Sequence, residues 1–329
     1  MKANSWRTLV VLGLLAGSLP AANSAEKKAQ AGDFPNKPIR FIVPFPPGGS
    51  NDVLSRYLGI KLTDRLGQQI VIDNRAGANG IIGTDLASHA PADGYTILIA
   101  STSYVMNAAV RKLPYDVEKS FDPVSFIAQA PNCIVVNPKG GFATLRDLVE
   151  RARAKPASIF YASTGIGGFN HFGGELFKKI AKVDMVMVPY KGGGPAMTDV
   201  IAGQIPVMFS SVTQALPHIR NHRLKALAVG ASKRTSALPD VPTVIEAGFP
   251  GYTHYVWWGI VAPHGVPARI QNKLRSELNA ILQDPETTKR LQMDAAEPRT
   301  ISPAEFRKMI HNDVKKWTDV ARTAGIHVQ

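Results

Sequence analysis

Two glycine-rich turns carry the residues of this chain whose types and spacing suit the binding of a small anion. FPPGGSND follows the apolar run IRFIVPF, and STGIGGFNH follows SIFYAS. Beyond the carboxyl ends of parallel strands, helix N-termini present unpaired N–H groups and a partial positive charge. Glycine also lets a backbone approach an oxyanion closely. The turns therefore predict two facing backbone cradles for a carboxylate. Their amides come from Gly48, Gly49, Ser50, Ser163, Thr164, Gly165, Gly167 and Gly168.

Each part of these turns also has a purely structural interpretation, because a glycine-rich turn often only connects two elements. Asp52 is either a first-turn acid favoured by the helix dipole or an acceptor for a ligand amine, hydroxyl or bridging water. His171 either caps or packs in its helix or donates into a pocket, and Lys191 is either a solvated loop residue or a positive contact. The net charge of +13 and the presence of two equivalent turns favour the anion-binding interpretation.

The sequence patterns that would indicate catalysis are weaker than those that indicate anion binding. GIGGFN begins like a dinucleotide fingerprint, but Asn170 stands where the last Gly or Ala belongs. The sequence contains no G-x-S-x-G elbow and no P-loop, and its histidines lack metal-ligand spacing. We therefore expect no metal, no cofactor and no enzymatic activity. The alternative is an exported, hydrolase-like enzyme using His171 with Ser163 or Thr164, which would need a hydrogen-bonded base and a third orienting group.

The composition bounds the class of protein. Hydrophobic residues make up 45% of the chain and charged residues only 19%, which fits two ordinary domains and neither a disordered protein nor a coiled coil. Lysine and arginine form no dense run, so nucleic acid is not a predicted partner. Residues 1–25 carry basic, then apolar, then small residues, which predicts a secretory signal peptide cleaved after Ala25. The single cysteine, Cys133, is expected to be a small buried hydrophobe.

The remaining pattern predicts the elements that position the turns. Buried strands alternate with helices, which indicates mainly parallel sheets with helices on both faces. In the first helix a stripe of leucines recurs every four residues, from Leu54 to Leu66, and Gly67 follows as a helix-ending glycine. SFIAQAPNCIVVNP reads as a long extended passage into a second half, where the same alternation begins again.

Many blocks along the chain resemble, in order, the Bug-type, TctC-like extracytoplasmic solute receptors of tripartite tricarboxylate transporters. They include KPIRFIVPFPPGGSND, DNRAGANG, PADGYTILIAS, LPYD, VPYKGGGPAMTDVIAGQIPVMF, LPDVPTVIEAGFPGY and WGIVAPHGVP. The resemblance runs from about Phe34 to Gly325.

This resemblance implies an α/β, two-lobed Venus-flytrap protein of the type II periplasmic-binding class. We expect lobe 1 to comprise residues 33–130 and 255–329 and lobe 2 to comprise residues 131–254. Such a receptor captures a small organic carboxylate, a di- or tricarboxylate that can be aromatic, between its lobes and delivers it to membrane transporter subunits. The expected form is a periplasmic monomer.

The resemblance also implies a set of ligand-binding positions. They are Pro47, Gly48, Gly49, Asp52, Ser101, Thr102, Ser163, Gly165, Gly167 and His171. Two positions depart from the family pattern, since Gly168 replaces a usual Ser and Ser210 replaces a usual Asp. We include Ser210 among the site residues. Loss of an acid there removes a partner for a ligand ammonium, which favours a di- or tricarboxylate over an amino acid.

Overall fold

The structure, a computed structural model, describes residues 34–293 and 295–326, and the predicted signal peptide lies outside these ranges. Within them the strands are β1 (Ile39–Val43), β2 (Ile70–Asn74), β3 (Thr96–Ser101), β4 (Phe121–Val136), β5 (Phe160–Ser163), β6 (Val186–Pro189), β7 (Val207–Ser211), β8 (Lys225–Val229), β9 (Tyr255–Pro263) and β10 (Glu297–Pro298). The helices are α1 (Ser50–Leu66), α2 (Ile81–Ser88), α3 (Thr102–Val110), α4 (Leu145–Ala154), α5 (Phe169–Ala181), α6 (Gly193–Ala202), α7 (Val212–Arg220), α8 (Ala268–Gln283), α9 (Pro285–Met293) and α10 (Pro303–Ala324). Short 3-10 turns cover Ala78–Gly80 and Pro138–Gly140.

The strands form two halves joined through β4. In the first half β2, β1 and β3 are parallel, and β9 runs antiparallel between β3 and β4. In the second half β6, β5 and β7 are parallel, and β4 pairs antiparallel with β7 and β8. β4 pairs with β9 as far as Pro131 and with β7 from Asn132 onward. The predicted extended passage is thus one strand shared by both halves.

Each half has a core of the kind that a parallel sheet needs, with apolar helix faces against it. The first half buries the leucine stripe of α1, where Leu58 and Leu62 are fully buried, and Gly67 ends the helix at φ 67° with its N–H bonded to the Thr63 carbonyl. The second half carries α4 and α5 on one face and α6 and α7 on the other. The predicted α1 stripe is confirmed, as are the parallel strands flanked by helices in each half, but β4, β8, β9 and β10 pair antiparallel with their neighbours, so the sheet is mixed.

The chain order brings five strand–helix turns to the same edge. β1, β3, β5, β6 and β7 lead into α1, α3, α5, α6 and α7, respectively. Because each helix starts beyond the carboxyl end of its strand, its first turn faces the space between the halves.

Candidate functional site

A cavity lies between the halves, with about 430 Å³ of empty volume that includes solvent at its open mouth, and first turns of all five helices contribute to its wall. We call it the inner cavity. The polar part of its wall consists mainly of Ser50, Asn51, Ser101, Ser103, Asn170 and Gln214. Phe45, Phe169 and Val256 supply an apolar side. Within the described ranges no charged side chain lines it.

Several of these helices leave first-turn amides available to this cavity. Among the described residues no N-cap side chain satisfies the N-termini of α1, α3 or α6, whereas Ser103 Oγ accepts the Phe169 N–H of α5 at 3.2 Å and Ser211 caps α7 by accepting from the Gln214 N–H at 3.3 Å. Unpaired amides and helix dipoles together form a site for negative charge. Asn51 in this wall is only 8% exposed, and its Oδ1, a hydrogen-bond acceptor, has no partner among the described residues.

Of the sequence-predicted residues, Gly49, Ser50, Ser101 and Thr164 line the inner cavity. Gly49 has an ordinary φ of −85°, and a Cβ built there would meet only the Pro46 carbonyl, at 3.9 Å. Gly48 has φ 86°, a conformation that favours glycine, and its N–H is already bonded to the Asp52 carboxylate at 3.1 Å. Gly49 therefore borders the cavity, whereas Gly48 shapes the turn.

Other predicted residues support the wall from behind. Thr102 accepts the Trp257 N–H at 2.8 Å, and Ser163 donates to the Gly165 carbonyl at 3.0 Å. Ser210 is fully buried, with its Oγ 3.4 Å from Gln214 Oε1. Pro47 lies where the two halves touch, because a Cβ at Gly194 would be 2.8 Å from its carbonyl oxygen.

Asp52 holds the first turn in shape rather than facing the cavity. Its carboxylate accepts from Gly48, from Asn74 Nδ2 at 2.9 Å and from Arg56 Nε at 3.0 Å. Burial raises its pKa, but these hydrogen bonds outweigh burial and hold the pKa of Asp52 below its usual range. These contacts are those of an acid that stabilises the first turn of its helix, which is the structural interpretation given to Asp52 above.

His171 is a packed residue with a neutral ring. Its Nδ1 accepts the Gly167 N–H at 3.1 Å, and its Nε2 lies 3.8 Å from Glu175 Oε1. Burial lowers the pKa of His171 more than the nearby Glu175 raises it. Among the described residues, neither Ser163 nor Thr164 forms a hydrogen bond with His171, so the pair that the enzymatic alternative requires is not assembled here.

A second, outer cavity of about 650 Å³ empty volume adjoins the inner one at Thr164, which lines both. Gly165 and Lys191, both considered from sequence, lie here, together with Asn79 and Arg111, which were not. The Thr164 hydroxyl donates to Asn79 Oδ1 at 3.3 Å. This hydrogen bond joins Asn79 of the first half to the turn between β5 and α5 of the second half. A Cβ on Gly168 would lie 2.7 Å from that same Asn79 oxygen, which explains the absence of a side chain at that position.

Sequence reasoning missed the cavity residues of α3, α6 and α7 and the apolar wall. Asn51 follows the predicted Ser50 directly and Gly193 lies in the KGGG segment, so for these two a signal existed. Ser103 and Gln214 belong to helices that the sequence pattern does not reveal, and Ser211 is the last residue of β7.

The described residues contain neither a group of three His, Cys, Asp or Glu side chains placed to hold a metal ion nor a helix long and apolar enough to cross a bilayer. Cys133 is fully buried in β4, where it pairs with Ser210 of β7 and Val229 of β8, and burial raises the pKa of its thiol.

Comparison with known proteins identifies the fold and family. A family model described as TctC, tripartite tricarboxylate transporter family receptor, matches residues 54–326. The chain is 35% identical to the protein BugT of Bordetella pertussis over 325 residues, which cover 98% of each.

Comparison with solved structures indicates the same fold and family. An adipate-bound structure of Rhodopseudomonas palustris Rpa4515 shares 34% identity with a TM-score of 0.87, covering 90% of this chain and 99% of that one. The periplasmic binding protein BugD shares 31% identity with a TM-score of 0.85, covering 90% of this chain and 100% of that one. The two-lobed α/β receptor fold predicted from sequence is confirmed, and the chain belongs to the family of tripartite tricarboxylate transporter receptors.

Proposed function

We propose that this receptor is a periplasmic monomer that captures a small organic carboxylate between two lobes without turning it over. It then presents the carboxylate to the membrane subunits of a tripartite tricarboxylate-type transporter. The lobes are residues 33–130 with 255–329 and residues 131–254, and residues 1–25 direct export. The adipate-bound relative and the family assignment support this function.

The observation that carries the proposal is the inner cavity, where five helix N-termini meet without a charged side chain from the described chain. A carboxylate there accepts charge-assisted hydrogen bonds from backbone amides and hydroxyls, each stronger than a neutral one. Dissociation at about 1 μM requires about 8.2 kcal/mol, which a few such bonds plus burial against Phe45 and Phe169 can supply.

Binding couples to closure of the lobes. Carboxylate oxygens held by α1 and α3 from one half and by α5, α6 and α7 from the other make contacts that exist together only when the halves approach. A solute that contacts both halves shifts the population to the closed form by its differential affinity. Membrane subunits that recognise the closed form then receive only loaded receptor.

Calorimetric titration with a carboxylate panel tests this function. The panel contains linear diacids from succinate to suberate, their monoamides, their diamides, and aromatic mono- and diacids. We expect saturable heat with at least one acid, none with the matching diamide, and unchanged compounds after long incubation. Diamides that bind as well as acids, or acids that all fail, would contradict carboxylate capture, and consumption of a bound acid would restore the enzymatic alternative.

A further inference from the structure

Arg111, directly after α3, extends from the first half to the turn between β5 and α5 of the second. Its guanidinium NH2 donates to the Ile166 carbonyl at 2.6 Å. Its Nε is buried without a hydrogen-bond partner among the described residues. The side chain therefore has further donor capacity in a partly desolvated place.

The charge of Arg111 also has no acidic partner within the described ranges. Several other arginines of the same half do have an acidic partner, as Arg40 has in Asp73 at 2.6 Å and Arg65 has in Glu277 at 2.8 Å. Burial lowers the pKa of Arg111, yet a guanidinium remains charged at neutral pH. A partly buried cation without a counter-charge costs free energy, and an anionic group from a ligand relieves that cost.

The outer cavity places this cation beside the carboxylate site. Arg111 and Lys191 line it, no described acidic side chain does, and it adjoins the inner cavity at Thr164, which lines both. A solute that spans both cavities meets neutral hydrogen-bond donors at one end and two cations at the other. A ligand ammonium meets no carboxylate from the described residues in either cavity.

We infer that Arg111, with Lys191 beside it, binds the second anionic group of a solute whose first carboxylate lies in the inner cavity. The solute is then a diacid, and Arg111 is the residue that distinguishes diacids from monoacids. This inference rests on the proposed function, since it assumes that the inner cavity holds the first carboxylate. Because Arg111 also bonds to Ile166, occupation of the outer cavity would tie the distal anion to the contact between the halves.

The test compares each linear diacid from succinate to suberate with its own monoamide, which keeps one carboxylate and loses the other charge. For wild-type protein we expect the best diacid to bind at least about tenfold more tightly than its monoamide. Arg111→Gln should weaken that diacid about tenfold or more and leave the monoamide within about twofold. Arg111→Lys, which keeps the charge, should retain part of the preference.

Arg269→Gln is the matched control, because it removes the same charge from an exposed position on α8. It should leave both affinities unchanged. Equal binding of diacid and monoamide by wild-type protein, or equal loss of both in Arg111→Gln, would overturn the inference while carboxylate capture stands. Failure of every acid would instead overturn the proposed function itself and the inference with it.

Discussion

Asp52 uses both of its carboxylate oxygens inside the protein. Gly48 and Arg56 donate to Oδ2, and Asn74 donates to Oδ1. Gly48 needs a positive φ for this turn, and its N–H is the donor that Asp52 takes up. The acid therefore fixes the loop whose next residues, Gly49 to Asn51, form part of the inner cavity.

Replacing Asp52 with Asn should lower the free energy of unfolding by about 1–3 kcal/mol at pH 7. An asparagine has one acceptor oxygen, and its NH2 faces a donor in either orientation, so one buried group is left without a partner. Urea unfolding measures the loss, and Asp64→Asn, at an exposed position on the same helix, is the control. Equal stability of the two variants would mean that the hydrogen bonds of Asp52 contribute nothing net.

The loss of stability in Asp52→Asn should also depend on pH. The folded pKa of Asp52 lies below its unfolded value of about 3.9, so its contribution is present above that pH and is lost as pH falls through the folded pKa. The stability difference between wild type and Asp52→Asn should therefore shrink under acid conditions. A constant difference at all pH values would contradict this assignment of the shift.

Single residues were predictable where their role is local. Gly49 and Thr164 could be placed at the cavity because each follows a buried strand in a glycine-rich turn. Arg111 and Asn79 could not, since each acts on the turn after β5 from the other half, through contacts separated by 55 and 85 residues in sequence. Their segments, VRKLPYD and RAGANG, carry no local sign of that contact.

Among the helices that border the inner cavity, α3 and α7 were not predicted from the sequence pattern. In α3 seven of nine residues are buried, so it lacks the polar face that marks an amphipathic helix. α7 contains Pro217 in its interior, which ordinarily ends a helix. Since Ser103 and Gln214 belong to these helices, missing the elements meant missing part of the site.

The loops before α1 and at the start of α6 touch across the cleft, and Gly194 makes that contact possible. A Cβ on Gly194 would lie 2.8 Å from the Pro47 carbonyl oxygen, a backbone atom that cannot turn aside. Gly194→Ala should therefore oppose closure, weakening the best carboxylate of the panel about tenfold while the melting temperature without ligand changes little.

Small-angle scattering with and without that carboxylate provides the structural readout, because wild-type protein should become more compact on binding and Gly194→Ala should not at the same ligand concentration. Gly140→Ala is the control, since a Cβ there would lie 3.4 Å from the Phe142 ring on the exposed side of the second half. Normal affinity and compaction in Gly194→Ala would show that the loops need not approach this closely.

At the scale of the whole molecule, the halves share an aromatic junction as well as β4. His254 stacks on Phe169 with ring centroids 4.1 Å apart and contacts Trp317 of α10 edge-on at 5.5 Å. Phe172 packs on the same tryptophan at 5.3 Å. The alternation of strands and helices predicted both halves, but it held no information on this junction, which joins residues far apart in the chain.

The junction makes global stability depend on pH. Burial lowers the pKa of His254 to about 3, outweighing its hydrogen bond to the Phe169 carbonyl. Burial likewise lowers the pKa of His171 and His218. Below about pH 6.5 the unfolded chain binds protons that the folded histidines do not, so the free energy of unfolding decreases as the pH decreases. Asp313 opposes the trend in part, because burial raises its pKa.

His254→Gln should isolate the junction's share of this dependence. Glutamine can still donate to the Phe169 carbonyl but does not titrate, so between pH 6 and 5 the slope of unfolding free energy against pH should fall by up to about 1.4 kcal/mol per pH unit. Urea unfolding at closely spaced pH values measures the slope, and an unchanged urea dependence of the free energy checks that the same surface is exposed. A variant with the wild-type slope would mean that the folded protein already protonates His254 in this range.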